Sequence, residues 1–294
     1  MMQYSGDESI RKSMISELKM YVLIGQHLNI VNFLGMVTEN LRAGTHELVI
    51  VLEYCRYGNL LEFIRKHKPK FMDCKNDIPE AWTGYSLDAD LSERPNEGCI
   101  TRFQTVDLIC WASQIANGMK YLASKNVCHG DLAARNILLC DKNVVKISDF
   151  GLARVFNRGN FYKKTSNDRV PYKWMALESI FELVFSVKTD VWSYGVLLWE
   201  LFSLGATPYP TYTVDEEFLN KLRDGYRMDR PEYASKEIYE VMRTCWYVNP
   251  DLRPSFESLA QTFNVMLPHV LQNHYLKLND KYLEANARRA LTMS

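Results

Sequence analysis

Three oxygen-bearing side chains near the middle of the chain have the types and the spacing that phosphoryl transfer requires. Asp131 and Asn136 lie five residues apart in the run HGDLAARN, and Asp149 follows in the run SDFG. In such a reaction one carboxylate orients the attacking hydroxyl, while an amide oxygen and a second carboxylate hold magnesium on the nucleotide phosphates. These are the residue types that a phosphoryl-transfer site would need.

Strand-like segments precede both parts of this set and should position it. Residues 126–128 come directly before the first part, and the β-branched run at 144–147 comes before the second. The alternative is that these are ordinary turn residues, because Asp, Asn and Gly all favour turns for backbone reasons. That alternative leaves three later segments unexplained, which are WMALE at 174–178, DVWSYG at 190–195 and PDLRP at 250–254.

The N-terminal part predicts a helix and two strands. Ser5 and Glu8 have the spacing of a capping box, and an apolar stripe then runs from Ile10 to a stop at Gly25. The next segments are predicted as strands at 31–37 and 47–53, a linker at 54–58 and a short helix at 59–67.

Periodicity disappears at about 66–101, a polar stretch interrupted by three prolines, which we interpret as a surface insertion. Loops of that length are usually functional or disordered. A helical pattern resumes at 103–124 and leads into the HGDLAARN run. Further helices are predicted at 188–204, 214–224, 236–246 and 256–266.

Composition limits the class of protein. The chain has 294 residues, of which 47% are hydrophobic and 24% are charged, as in a globular protein. Its 35 basic and 35 acidic residues cancel, so nothing suggests a nucleic-acid partner. The seven cysteines form no CxxC pair, which favours a reducing compartment over a disulfide framework. No apolar run approaches the roughly 18 residues of a membrane helix, and a cytoplasmic location is expected.

The ordered set of motifs resembles the protein-tyrosine kinases. It is most similar to receptor kinases with a split catalytic domain, related to the fibroblast, platelet-derived and vascular endothelial growth factor receptors. Tyrosine specificity is suggested by Ala133, where serine/threonine kinases usually have lysine, and by VPYKWM at 170–175. The resemblance covers about 7–267 and implies an α+β protein-kinase-like fold with a mostly helical large lobe. It divides the chain into a small-lobe remnant at 1–53, a hinge at 54–58, the large lobe at 59–267 and a C-terminal extension at 268–294.

The resemblance also implies cofactors and residue roles. ATP and Mg²⁺ would be the cofactors, and Asp131 would be the catalytic base, in a catalytic group with Arg135 and Asn136. Asn136 and Asp149 would be the metal ligands. Glu17 would be the carboxylate of the regulatory helix that pairs with a nucleotide-binding lysine. The adenine would be surrounded by a group comprising Leu52, Glu53, Cys55 and Leu138.

Structural roles are also expected for several residues. Simple core packing is the alternative for Leu52 and Leu138. Asp190 would brace the catalytic loop, and Glu178 would pair with Arg253.

Three departures from the family pattern bear on activity. No GxGxxG precedes the regulatory helix, no lysine precedes Lys12, and Gly130 stands where an arginine is expected. We therefore expect an incomplete small lobe with about two strands, a truncated chain and weak activity. The alternative is a catalytically inactive pseudokinase that acts as a binding scaffold.

Partners follow from the same resemblance. The substrate would be a protein tyrosine, and the chain could be the intracellular part of a plasma-membrane receptor. Phosphotyrosine-binding adaptors could dock at Tyr162, Tyr275 and Tyr282. For the last two, a helix packed on the large lobe is the favoured alternative, because an apolar stripe runs from Leu271 to Tyr282 without glycine or proline.

Overall fold

The computed structural model describes residues 2–3, 8–37, 49–73, 102–156, 161–163 and 171–293. Its first part is a three-stranded antiparallel sheet in the order β1-β3-β2, formed by β1 (Met2–Gln3), β2 (Phe33–Val37) and β3 (Val49–Leu52). Both expected strands are present within narrower bounds. The two-residue strand β1, which pairs with β3, was missed because two residues carry no readable alternation.

The predicted first helix is confirmed as α1 (Glu8–Ile24). Of the apolar residues in the predicted stripe, Met14 and Tyr21 are buried and Leu18 is half-buried, but Val22 is 48% exposed, so the predicted stripe is too wide. The buried face of the helix also contains Glu17 and Ile24. The helix ends at Gly25, whose φ of +80° and whose N–H bond to Tyr21 O are typical of a glycine C-cap. Ser5, the predicted cap at the other end, lies outside the described residues.

The large lobe is organised around two buried helices, α3 (Thr105–Ser124) and α5 (Val187–Phe202). Both begin at capping boxes, and α5 is buried from Thr189 to its end. The other helices are α2 (Leu60–His67), α4 (Leu177–Phe181), α6 (Glu216–Arg223), α7 (Lys236–Cys245) and α8 (Phe256–Val265).

A hairpin in the large lobe determines where the candidate residues meet. Strands β7 (Ile137–Leu139) and β8 (Val145–Ile147) pair antiparallel, with Ile137 opposite Ile147. Asn136 directly precedes β7 and Asp149 follows β8 after one residue. The hairpin therefore brings Asn136 and Asp149 to the same edge. A second pair, β6 (Val127–Cys128) with β9 (Arg154–Val155), flanks them.

The start of the predicted insertion requires a correction. Residues 66–73 are not structureless, because they comprise the end of α2, a 3₁₀ turn at Lys68–Lys70 and strand β4 (Phe71–Met72). Strand β4 pairs in parallel with β5 (Phe103–Gln104). Phe71 and Phe103 lie in ring contact there, 5.1 Å between centroids. The remaining part of the predicted insertion, 74–101, lies outside the described residues.

Two further strands and the C-terminal helix complete the described chain. Strands β10 (Phe161–Lys163) and β11 (Val184–Ser186) pair antiparallel. Helix α9 (His269–Met293) confirms the helical reading of the tail. Its Tyr275 hydroxyl donates to Asn29 Oδ1 at 2.7 Å, so the tail packs back toward the end of α1. No helix in the described ranges is long and apolar enough to cross a membrane.

Candidate active site

The Asp131 carboxylate is held by two neighbours from its own loop. Arg135 donates to Oδ1, and Asn136 Nδ2 donates at 2.8 Å to both Oδ2 and the Asp131 carbonyl. Burial raises the pKa of Asp131, while the positive charge of Arg135 opposes that rise. The structure thus brings together all three residues of the predicted catalytic group, with the carboxylate fixed in orientation.

The backbone of this loop is anchored by Asp190, at the start of α5. Its two carboxylate oxygens accept from His129 N at 2.8 Å and Gly130 N at 2.9 Å. Gly130 has a φ of +77°, and a Cβ there would lie 3.1 Å from Leu152 O. This left-handed backbone favours glycine, which gives a physical reason for the residue that departs from the family pattern.

A second buried carboxylate, Glu200 of α5, was missed by sequence reasoning. Its Oε2 accepts from Ala134 N at 3.0 Å and from Trp174 Nε1 at 2.9 Å. The Trp174 ring in turn lies under the Arg135 guanidinium, 4.5 Å from its Cζ. Burial raises the pKa of Glu200 to about 7. The available signal was a lone acid in the apolar run VLLWELF, which is unusual inside a buried helix.

Asn136 and Asp149 are joined through the residue between β8 and Asp149. Ser148 donates from both its N–H and its hydroxyl to Asn136 O, each at 2.9 Å. Asp149 itself has a φ of +63°, and its Oδ1 accepts from Gly151 N at 3.2 Å. The turn is therefore held in a conformation that L residues rarely adopt, a feature that clusters at functional sites.

The donor set suits a magnesium ion. The Asn136 amide nitrogen donates hydrogen bonds to Asp131, so the Asn136 amide oxygen is the atom available to a cation. The negative charge of Asp149 contributes to raising the pKa of both Asp131 and Glu17, after the larger effect of burial. A cation among these carboxylates would relieve that repulsion. No cluster of three His, Cys, Asp or Glu ligands occurs in the described ranges, and magnesium commonly uses only one or two carboxylates plus phosphates and water.

Phe150 connects this turn to α1. Its ring meets Tyr21 edge-on at 5.2 Å and His129 at 5.4 Å. Glu17, one turn before Tyr21, is 7% exposed, and its Oε1 has no hydrogen-bond partner among the residues that the structure describes. Burial is the main cause of its raised pKa. The expected carboxylate is thus in place near the charge of Asp149, and no ion pair joins it to a basic side chain among the described residues.

The residues predicted to surround an adenine lie on β3, on the segment after it and on β7. Leu52 and Leu138 are both half-buried. Tyr57 N donates to Leu139 O, and Leu139 N donates to Gly58 O, so the 54–58 segment is bonded to β7.

Two of the predicted adenine contacts have partners within the protein. The Glu53 carboxylate accepts from Asn32 N at 2.7 Å and pairs with Lys146 at 2.9 Å. Any contribution of Glu53 to a purine would therefore come from its backbone. The Cys55 sulfur accepts from the Cys140 thiol.

Comparison with known proteins decides the family. A profile described as protein tyrosine and serine/threonine kinase matches residues 1–263. The chain belongs to the protein kinase family. The sequence-based recognition of a receptor-type tyrosine-kinase domain is confirmed by its relatives, and so is the kinase-like fold.

Individual relatives are similar over nearly the whole chain. Vascular endothelial growth factor receptor 3 of Coturnix coturnix is 39% identical over 96% of this chain and 23% of the receptor. The kdr-like vascular endothelial growth factor receptor of Danio rerio is 40% identical over 92% of the chain and 23% of the receptor. Platelet-derived growth factor receptor alpha of Takifugu rubripes is 34% identical over 97% of the chain and 32% of the receptor. The kinase chain spans about a quarter to a third of these relatives.

The large lobe of this kinase also contains the expected ion pair. Arg253 donates to both Glu178 oxygens, at 2.6 and 2.8 Å, and its side chain is fully buried. Three backbone carbonyls accept its remaining N–H groups, namely those of Tyr247, Lys188 and Val248. The bidentate geometry joins α4 to the segment before α8.

Proposed function

We propose that this kinase domain transfers the γ-phosphoryl group of ATP to tyrosine hydroxyls of proteins. The supporting observation is the fixed orientation of the Asp131 carboxylate between Arg135 and Asn136, with Asn136 bonded through Ser148 to the Asp149 turn. Catalysis of phosphoryl transfer depends almost entirely on such positioning and on electrostatic stabilisation. The large lobe must contribute a base and the metal ligands for this reaction. Asp131 would supply the base, and the Asn136 amide oxygen and the Asp149 carboxylate would supply the ligands.

In this proposal Asp131 accepts a hydrogen bond from the tyrosine hydroxyl and directs its oxygen at the phosphorus. Arg135 restrains the carboxylate and lies on the Trp174 ring, which holds the guanidinium in place. Ala133 stands where serine/threonine kinases usually have a lysine, as in the tyrosine kinases that the chain resembles. Tyrosine is therefore the substrate side chain that we favour.

ATP and Mg²⁺ are the proposed cofactors. Asn136 and Asp149 would hold the metal ion, which supplies positive charge on the phosphate oxygens when bound. Leu138 would pack beneath the purine ring and Leu52 would lie at the rear of its pocket, with the backbone of Glu53 and Cys55 at the purine edge. Glu17 would pair with a basic group, and that group would contact the phosphates.

One observation favours the alternative of a non-catalytic kinase that binds partners. Glu17 Oε1 has no hydrogen-bond partner among the described residues. Losing one preorganised electrostatic contact typically costs about 10²–10³ in rate. We therefore expect slow transfer from this chain, and a complete loss of transfer would favour the scaffold.

Phosphotransfer from ATP to a tyrosine copolymer tests the proposal on the 294-residue chain. We expect slow, magnesium-dependent incorporation, which Asp149→Ala abolishes and Asp141→Ala, an exposed control, leaves unchanged. Magnesium-dependent nucleotide binding without incorporation would instead support the scaffold. Incorporation that persists in Asp149→Ala would contradict the assignment of the metal site.

Partners and location are proposals of the same kind. A protein with an accessible tyrosine is the expected substrate, and we place the domain on the cytoplasmic side of a receptor's membrane. Tyr162, on β10, is the adaptor site that we favour. Tyr275 is a poor one, because its hydroxyl is engaged by Asn29. Adaptor binding at Tyr275 or Tyr282 would require α9 to leave the surface.

A further inference from the structure

Two thiols from distant parts of the sequence meet beside the proposed hinge. The Cys140 thiol donates to Cys55 Sγ across 2.7 Å, and both cysteines are free. Cys55 is buried just after β3, whereas Cys140 is half-buried just after β7. The pair therefore bridges the segment between the lobes and the β7–β8 hairpin, and Cys140 is the more exposed of the two residues.

Backbone contacts hold both residues in place. Cys55 O accepts from Gly58 N at 3.2 Å, and Cys140 N donates to Val144 O at 2.8 Å at the end of the hairpin. The neighbouring bond from Tyr57 N to Leu139 O keeps the two segments side by side. The proximity of the sulfurs is thus built into the fold on both sides, and only a small further approach separates them from the roughly 2.05 Å of a disulfide.

The surroundings distinguish this pair from the other described cysteines. The hydrogen bond from Cys140 lowers the pKa of Cys55, and the charge of Lys146 acts in the same direction, against burial and the charge of Glu53. Burial instead raises the pKa of the remaining three, Cys110, Cys128 and Cys245. Because the thiolate is the nucleophile, Cys55 is the described cysteine best suited to react with an oxidant.

We propose that Cys55 and Cys140 form a reversible, peroxide-sensitive disulfide site. The Cys55 thiolate attacks one oxygen of a hydroperoxide, which breaks the O–O bond, gives a sulfenic acid and releases water or an alcohol once protonated. The Cys140 sulfur then attacks the sulfenic sulfur, and the hydroxyl leaves as water with the Cys140 proton. The two thiols lose two electrons in total, and the peroxide gains them.

The bond would fasten the hinge segment to the large lobe. Transient, redox-sensing disulfides are the kind found in reducing compartments, in keeping with the cysteine pattern of this chain. The structural consequence is a closed loop between residues 85 positions apart. The functional consequence rests on the proposed function, because Cys55 lies at the proposed purine edge. There we expect nucleotide affinity to fall on oxidation.

Peptide mapping of the full chain after hydrogen peroxide treatment, without reductant, tests the site. We expect a peptide pair joined through Cys55 and Cys140, a loss of two free thiols and their recovery with dithiothreitol. The unfolding midpoint should rise by roughly 5–10 °C. Cys110→Ala should behave as the parent chain, while Cys140→Ser should leave Cys55 as a sulfenic acid that dimedone traps.

Three results would overturn the proposal: cross-links that join other cysteines at random, a Cys55 that dimedone fails to label in Cys140→Ser, or two thiols that survive peroxide unlinked. The mapping is independent of kinase activity. If the disulfide forms while nucleotide affinity stays unchanged in the parent chain, the redox site stands and the proposed purine edge is wrong.

Discussion

Buried carboxylates in the two lobes differ in how their oxygens are hydrogen-bonded. In the large lobe, Asp190 and Glu200 are each 1% exposed, and each accepts two N–H groups from the catalytic loop and its neighbours. In the small lobe, Glu17 is 7% exposed, and its Oε1 is unpartnered within the described ranges. Burying a polar group without a hydrogen bond is costly. Asp190 and Glu200 are therefore compensated by hydrogen bonds, whereas one oxygen of Glu17 has no such compensation among the described residues.

This difference separates two kinds of buried charge. Asp190 and Glu200 position the catalytic loop, and the Glu178–Arg253 pair stabilises the fold. Glu17 lies near the negative charge of Asp149, and burial and that charge both disfavour its ionised form. Breaking the Glu178–Arg253 pair should therefore destabilise the fold, whereas neutralising Glu17 should stabilise it.

The largest effect is expected at the buried ion pair. Glu178→Ala would leave the fully buried Arg253 guanidinium without its counter-charge. Removing one partner of such a pair typically destabilises a protein by about 3–5 kcal/mol, and denaturant unfolding would measure the loss. Glu182→Ala changes an exposed residue of the same region and serves as the control. A loss under about 1 kcal/mol would show that the pair is not a main support of the large lobe.

Glu200 should make stability depend on pH. Its pKa is raised from 4.5 to about 7 in the folded chain. As pH rises from 4.5 to about 7, the unfolded chain loses this proton first, so folding stability falls across that window. Glu200→Gln keeps an acceptor oxygen and removes the titration, so variant and parent should diverge by up to on the order of 3 kcal/mol between pH 4.5 and 7. Thermal unfolding at both pH values measures this divergence, and the exposed Glu240→Gln serves as the control. If the Glu200 carboxyl titrated with its ordinary pKa, the difference in stability between Glu200→Gln and the parent chain would be the same at both pH values.

The tail contact should have a smaller effect. Tyr275→Phe removes the hydroxyl that Asn29 Oδ1 accepts, while both Asn29 Nδ2 bonds remain, to Gln114 Oε1 and Val145 O. Leaving a buried acceptor unsatisfied costs about 1–3 kcal/mol. Hydrogen exchange should become faster in α9 and around Asn29. Tyr247→Phe is the exposed control, and unchanged protection in Tyr275→Phe would mean that the hydroxyl does not hold the helix.

Glu17→Gln should change stability in the opposite direction to Glu178→Ala. Because burial raises its pKa, its ionised form destabilises the fold increasingly as pH rises above 4.5. Glu17→Gln should therefore stabilise the apo chain by about 1 kcal/mol at pH 8, with little change at pH 4. The same substitution should weaken nucleotide binding. Destabilisation at pH 8 would indicate that Glu17 already has a partner and would remove the contrast between the lobes.

Sequence reasoning reached the parts of the kinase that are encoded locally. The helical stripe of α1, the tail helix and the Asp131–Asn136 spacing are all short-range patterns, and the β7–β8 hairpin then brings Asp149 to the same place. In motifs of this kind the residues are close in sequence, so the local backbone conformation determines their relative positions. The fold class followed because several such motifs occur in one order.

Contacts between distant segments could not be predicted in the same way. The interactions of Glu200 with the catalytic loop, the pairing of β4 with β5 and the approach of Cys140 to Cys55 depend on how whole elements pack. The internal engagement of the Glu53 carboxylate by Asn32 and Lys146 belongs to the same class. Single residues in loops or apolar helices carry no periodic signal from which such partners can be read.

The central claim, that Asp131 directs a tyrosine hydroxyl in phosphoryl transfer, is tested most directly by single-turnover transfer to a tyrosine peptide. The measurement uses the 294-residue chain in excess over the peptide, with magnesium and ATP, and a matched serine peptide as a second acceptor. We predict transfer to tyrosine alone, a rate lower by about 10²–10⁴ in Asp131→Asn, and a parent-like rate in the exposed control Asp141→Asn. Equal rates in Asp131→Asn and Asp141→Asn would contradict the account.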